Sequence, residues 1–247
     1  MTAFLMITFC LLGSICSVGL AAMLLLAKDH RLRRLTSCLI PYAIGTLLGA
    51  AFFGMIPHAL KQLPSTTVLP TVLGGIILFF VLEKVALWRH CHEEVCETHT
   101  RAGELILIGD SIHNFVDGVA IAVAFSGSIP LGIATSLAVI AHEVPQEVGD
   151  FVVLLESGYT RQKALWYNIF SSLTALPGAI LTYYLLPVIR PLVPYLLALS
   201  AASFIYIALA DLVPGRRRVE GWRNLALELG LMLLGIGTIL LFHTHHA

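Results

Sequence analysis

Charge is what this sequence has least of. Only 12% of its 247 residues are Asp, Glu, Lys or Arg against 57% hydrophobic ones, and the mean hydropathy is +0.87. That is too little polar surface to cover a water-soluble globule. Neither a CxxC nor an HxxxH pair occurs anywhere, so the usual ligand spacing of a structural zinc domain is missing. The five cysteines are an odd number, and Cys10, Cys16 and Cys38 lie in or beside apolar segments, which argues against a disulfide framework. Net charge is zero, and no nucleic-acid partner is expected. Segments of about ten residues alternating in polarity are absent, which removes a membrane β-barrel.

What remains is length after length of apolar helix. Eight stretches, at roughly residues 3–27, 38–60, 70–88, 104–126, 131–155, 164–187, 192–213 and 224–242, each approach the ~20 residues an α-helix needs to cross hydrocarbon. The expected fold is therefore all-α, a polytopic membrane protein of eight transmembrane helices with the lipid bilayer as its surroundings. Gly45, Gly49, Gly54, Gly118 and Gly132 lie within or beside these spans, where glycine lets backbones approach closely. Thirteen of the fifteen basic residues fall in alternate connections: Lys28, Arg31, Arg33 and Arg34; Lys84, Arg89 and Arg101; Arg161 and Lys163; Arg216, Arg217, Arg218 and Arg223. The positive-inside rule puts those loops in the cytoplasm and both termini outside, with the plasma (inner) membrane as the expected location. Met1 to Ala27 lacks a basic n-region and its apolar run is too long for a signal peptide.

Two polar strings interrupt the apolar pattern, His113-Asn114-Phe115-Val116-Asp117-Gly118 and His142-Glu143-Val144-Pro145-Gln146-Glu147-Val148-Gly149-Asp150. Ionisable groups at membrane depth are costly and mark function by default. In helix 4, Asp110, His113, Asn114 and Asp117 step by three or four and share a face. In helix 5, His142 pairs with Gln146 and Glu143 with Glu147 at i, i+4, and Asp150 continues the stripe. Two facing stripes of imidazole, carboxylate and amide suit divalent metal, with room for two adjacent positions. His113, Asp117, His142, Glu143 and Glu147 are the leading ligands, Asn114 and Gln146 neutral oxygen donors, Asp110 and Asp150 relay or exit groups. Pro145 removes the helical partner of the Ala141 carbonyl and bends the helix beside the ligands or serves as a packing kink. The loop before helix 4 gathers His90, Cys91, His92, Cys96 and His99, a candidate cytoplasmic metal-handling segment or a solvated loop.

HNFVDG followed by HEVPQEVGD, on the fourth and fifth of eight helices with both ends outside, resembles the ZIP (Zrt/Irt-like protein) family of divalent-metal transporters. The second string is close to the HExPxExGD form of the LIV-1 branch. That branch has His where Gln146 stands and a large extracellular N-terminal domain not found in these 247 residues, and many ZIP proteins have Glu in place of Asp117. The resemblance implies one transporter domain over residues 1–247, with helices 1–3 and 6–8 as inverted repeats around helices 4 and 5. It implies Zn²⁺ as the transported substrate, or Cd²⁺, Fe²⁺ or Mn²⁺, moved into the cytoplasm through a binuclear centre. Met55-Ile56-Pro57-His58 ends helix 2 and Asp211-Leu212-Val213-Pro214 ends helix 7, opposite placements of the kind inverted repeats produce. By this likeness His58 guards the entrance and Asp211 lies along the path. A homodimer is left open. The competing class is an intramembrane zinc metalloenzyme, a protease or lipid hydrolase, because His142-Glu143-Val144-Pro145-Gln146 partly matches HExxH; its second His is here Gln146.

Overall fold

A computed structural model describes residues 2–26, 29–90, 98–212 and 221–244. Among the described residues every regular element is helical, the form in which a backbone satisfies its own polar groups where water cannot. The helices are α1 (Thr2–Leu26), α2 (Asp29–Gly49), α3 (Ile56–Leu60), α4 (Ser65–His90), α5 (Thr98–Gly127), α6 (Ile129–Glu156), α7 (Arg161–Ser172), α8 (Ala175–Ile189), α9 (Val193–Tyr206) and α10 (Trp222–Thr244). The described part of each expected apolar stretch is helical apart from the turn at Leu173 and Thr174. Among the described residues six stretches are long and apolar enough to cross a membrane, one of them the 50-residue run Arg161–Ala210. Helix α6 is not among the six, since the polar string it carries lowers its hydropathy.

Three stretches expected as single helices are interrupted, and in each a proline follows. Pro57 has no N–H for the Phe53 carbonyl; just upstream, Ala50–Met55 winds as π-helix, and the Ile56 N–H bonds Ala51 O, five residues back. Ile207–Leu212 is also π-helical, shortly before Pro214 in the sequence. The stretch 164–187 divides into α7 and α8 at Leu173 and Thr174, three residues ahead of Pro177. Periodicity alone does not register such breaks, because the apolar pattern runs straight through them.

The principal helix pairs are α1 with α6, α5 with α8, α5 with α6, α2 with α10 and α4 with α9. Exchange α1, α2–α3 and α4 for α7–α8, α9 and α10 in that order, and α5 for α6. Then α1·α6 becomes α8·α5, α4·α9 becomes α10·α2, and α5·α6 maps to itself. Two of these contacts are close enough to require glycine on both sides. A Cβ on Gly118 would fall on the Ala175 carbonyl and one on Gly178 on the Phe115 carbonyl; Gly45 and Gly235 stand likewise against the Met232 and Tyr42 carbonyls. Small residues at helix contacts are how membrane helices gain packing without a hydrophobic drive between them. Leu69, Leu73, Ile77 and Phe80 on α4 and Leu229 and Leu233 on α10 are exposed, the apolar face that a bilayer covers.

Candidate metal centre

Helix α6 begins at Ser128, whose hydroxyl accepts the Leu131 N–H at 3.2 Å, with Pro130 in the first turn. Such a cap satisfies a donor that the helix leaves open. The helix then runs unbroken through Pro145 to Glu156, against α5. That contact sets the two polar stripes face to face, with Asp110, Asn114, Asp117, His142, Glu143, Glu147 and Asp150 all buried and His113 partly open at 20% exposed.

The first group is His113, Asp117, His142 and Glu143, whose ligand atoms lie within 4.8 Å of one another. His142 Nε2 is 3.1 Å from Asp117 Oδ2, 3.6 Å from Glu143 Oε1 and 3.2 Å from His113 Nε2. His113 Nε2 is 3.4 Å from Glu143 Oε1 and 3.7 Å from Asp117 Oδ2. Zinc bonds of about 2.0 Å in a tetrahedron place neighbouring ligand atoms about 3.3 Å apart. The five separations fall on both sides of that edge length.

Tautomer chemistry points the same way. His142 Nδ1 stands 3.0 Å from the Ala138 carbonyl, which can only accept, so Nδ1 carries the proton. A neutral His142 then turns its Nε2 lone pair on carboxylate oxygens and on the second imidazole. Lone pairs crowded together out of water are costly unless a cation sits among them. The ring is held from behind by Phe204, at 5.9 Å between centroids and 63° between planes.

The second group is Asp110, Glu143 and Glu147, so Glu143 belongs to both. Asp110 Oδ1 accepts from Asn114 Nδ2 at 2.9 Å and from Gln146 Nε2 at 3.3 Å, an amide–carboxylate–amide clamp across α5 and α6. Its other oxygen, Oδ2, has no hydrogen-bond partner, nor have either of the carboxylate oxygens of Asp117, Glu143 and Glu147, nor Asp150 Oδ2. Gln146 and Asn114, expected as oxygen donors to metal, use their amide nitrogens on Asp110. Asp110, expected as an exit group, lies inside the second group; Asp150 is buried beyond it and belongs to neither.

The remaining expected residues lie elsewhere. His58, on α3, has Nδ1 3.2 Å from Gly54 O and belongs to neither donor group. Asp211 is in the π-helical segment by its backbone, and its side chain lies outside the described part. So do Cys91, His92 and Cys96 altogether, and the side chains of His90 and His99. Reading the sequence alone passed over Asn168 on α7, fully buried, whose Nδ2 donates to the Glu147 main-chain carbonyl at 3.4 Å. A polar amide inside an apolar stretch is the signal that could have found it. Phe204, an aromatic in an apolar helix, gives no such signal.

The description "ZIP Zinc transporter" is that of the family model matching residues 86–243, a span that contains both donor groups. Over 144 residues the chain is 37% identical to zinc transporter ZIP10 of Danio rerio, covering 56% of this chain and 17% of that protein. It is 42% identical over 139 residues to zinc transporter ZIP4 of Rattus norvegicus, covering 56% and 21%, and 37% over 144 residues to zinc transporter ZIP6 of Homo sapiens, covering 56% and 19%. The chain thus spans about a fifth of the length of these curated relatives. Its matching region, more than half of its own length, carries both polar strings and the helices that bring them together, and the chain belongs to the ZIP zinc transporter family.

Proposed function

We propose that the chain carries divalent cations, Zn²⁺ foremost, across a membrane into the cytoplasm. The cargo passes between α5 and α6 through two adjacent positions that share Glu143. The observation that carries this reading is the convergence of buried, acceptor-only atoms at metal-ligand spacing, with most carboxylate oxygens lacking any proton donor. Relatives named as zinc transporters support zinc as cargo. The first position draws on His113, Asp117, His142 and Glu143, and the second on Asp110, Glu143 and Glu147. Asp150 and Asp211 are exit-side candidates and His58 an entrance candidate, with both termini outside the plasma membrane.

Transport proceeds by alternating access, with α1, α5, α6 and α7–α8 moving as a body against α2–α4, α9 and α10. The packing of α1 on α6, α7 and α8 and of α5 on α6, α7 and α8 supports that division. So do two hydroxyls at the α7–α8 break. Ser14 Oγ of α1 donates to Ser172 O at 2.9 Å, and Thr174 Oγ1 donates to Ser111 O of α5 at 2.6 Å. The metalloenzyme reading needs a second imidazole at position 146, where the Gln146 amide is committed to Asp110.

Zinc uptake by proteoliposomes holding the full chain is the direct test. Uptake should be saturable, compete with Cd²⁺, Mn²⁺ or Fe²⁺ wherever those ions share the path, and vanish in the double variant His142→Ala, Glu147→Ala. Undiminished uptake by that variant would sink the ligand assignment.

A further inference from the structure

Asn168 is a buried polar side chain that the two-position reading leaves unused. It is 0% exposed on α7, and its amide nitrogen is anchored on the main chain of Glu147 at 3.4 Å. That anchor fixes the amide beside a second-position ligand, while its Oδ1 has no donor. A buried acceptor without a donor is an expensive thing to leave in a fold. The groups around the second position do not supply one: Asp110 Oδ2 and both oxygens of Glu143 and Glu147 are themselves unpartnered acceptors. The nearby amides turn toward Asp110, Asn114 giving its protons to the main-chain carbonyl and Oδ1 and Gln146 one to Oδ1. Ser171, one turn along α7 from Asn168, lies beside the Asp110 carboxylate and donates to the main-chain carbonyls of Tyr167 and Asn168. The same face of α7 therefore meets the second group at two points.

We propose that Asn168 Oδ1 is a ligand of the second position, which with Asp110, Glu143 and Glu147 becomes an all-oxygen site drawn from three helices and suited to a hard divalent cation of the Mn²⁺ class. The proposal rests on the two-position reading above. Oxygen-only donor sets favour Mg²⁺, Ca²⁺ and Mn²⁺, while imidazole favours borderline ions such as Zn²⁺. The two positions are then chemically unequal: His113 and His142 make the first a nitrogen-rich site, and the second has no nitrogen ligand at all. An amide oxygen also adds a donor without adding charge to three carboxylates already sharing one pocket.

Mn²⁺ binding to the purified full chain in lipid nanodiscs, read by electron paramagnetic resonance, tests this, with zinc binding read in parallel by competition with a chromophoric chelator. Partners one bond outside a metal already change affinity about 10–100-fold, so Asn168→Ala should weaken Mn²⁺ by about tenfold or more. Asn168→Asp, which keeps the oxygen and adds charge, should bind Mn²⁺ at least as tightly as the parent. Zinc affinity should stay within about twofold in both, whereas His142→Ala should lose zinc and keep Mn²⁺. The proposal is overturned if the parent chain binds no Mn²⁺, if Asn168→Ala binds it normally, or if both Asn168 variants weaken both metals alike, as a packing role would. Should Asn168→Ala fail to fold, the sign of the Asn168→Asp effect alone decides. Binding is read without transport, so failure of zinc uptake in vesicles would strike the transport reading and leave this one standing.

Discussion

On the two-position reading proposed above both positions depend on Glu143, and Glu143→Gln is the sharpest single perturbation of the centre. The change keeps volume and shape but removes the negative charge that both positions share and turns one of the two ligand oxygens into an NH₂ group, leaving a single neutral oxygen where the carboxylate offered two. Glu143 Oε1 lies 3.4 Å from His113 Nε2 and 3.6 Å from His142 Nε2, and its carboxylate also belongs to the group with Asp110 and Glu147. Loss of a partner one shell further out costs about 10–100-fold in affinity, so loss of the shared ligand should cost at least about 100-fold at each position. That is roughly 2.8 kcal/mol apiece, at about 1.4 kcal/mol per tenfold.

Counting ions by equilibrium dialysis distinguishes sharing from mere proximity. Dialysed against Zn²⁺ and Mn²⁺ together, the parent should bind two ions per chain, His142→Ala and Glu147→Ala one each, and Glu143→Gln none at concentrations that saturate the parent. A thermal melt gives an independent reading. A ligand present at 100 times its dissociation constant stabilises the fold by about 2.7 kcal/mol, and Glu143→Gln should forfeit that gain. Without metal the same variant should melt at or above the parent's temperature, because it removes an uncompensated buried charge. If Glu143→Gln lost only one of the two ions, or kept the full zinc-dependent gain in stability, Glu143 would not join the positions.

Acidification should weaken zinc binding, since imidazole must be neutral and carboxylate ionised to ligate; affinity is retained at neutral pH and falls as pH drops, and a chelator titration showing equal affinity at pH 5 and pH 7.5 would contradict the ligand chemistry. Gln146→Ala removes one of two donors to Asp110 Oδ1 and should weaken the second position about 10–100-fold with little effect on the first, checked by the same ion count. Gly118→Ala puts a methyl group on the Ala175 carbonyl, where backbone and not a side chain must yield; overpacking of this kind costs about 1–3 kcal/mol, and a melt in detergent that matches the parent would show that the α5–α8 contact is looser than described. Phe204→Ala opens a cavity behind the His142 ring at about 3–5 kcal/mol, read as lowered melting temperature together with weaker zinc binding.

Much of this arrangement was legible before any coordinates. The three-and-four stepping of Asp110, His113, Asn114 and Asp117, and of His142, Glu143, Gln146 and Glu147, is a one-helix property, and periodicity finds it directly. How the two stripes register against each other is a two-helix property. The 3.1 Å approach of His142 to Asp117 and the double membership of Glu143 depend on how α5 and α6 pack, and no spacing rule supplies that. Gln146 shows the limit most plainly. By residue type it is an oxygen donor, yet its place opposite Asp110 turns its nitrogen inward. Asn168 escaped because it arrives from a third helix, where its polar neighbours at helical spacing, Ser171 and Ser172, are hydroxyls and not the imidazoles or carboxylates that mark a metal stripe. The π-helical turns escaped because Pro57 and Pro214 announce a disturbance without saying whether the helix will kink, stop or rewind.

The pairing pattern places the donors, between α5 and α6, at a contact that the exchange of the two halves leaves in place. Under the exchange of the first three spans for the last three, α1·α6 trades places with α5·α8 and α4·α9 with α2·α10, while α5·α6 maps onto itself, as does the packing of α2–α3 on α9. The rewound segments follow the same exchange: Ala50–Met55 packs against α9, and Ile207–Leu212 packs against α2. Each half therefore places its irregular turn on the other half's second span. Irregular backbone at membrane depth is tolerated where it lines a cavity or meets protein, and π-turns collect at functional sites. An ion held at the α5·α6 contact is related in equivalent ways to both halves. On the proposed reading each moving body takes its spans from both halves, α1 with α7–α8 in one and α2–α4 with α9 and α10 in the other, so their displacement changes which side of the membrane reaches the ion without remaking its ligand set, as alternating access requires of a site built within inverted repeats.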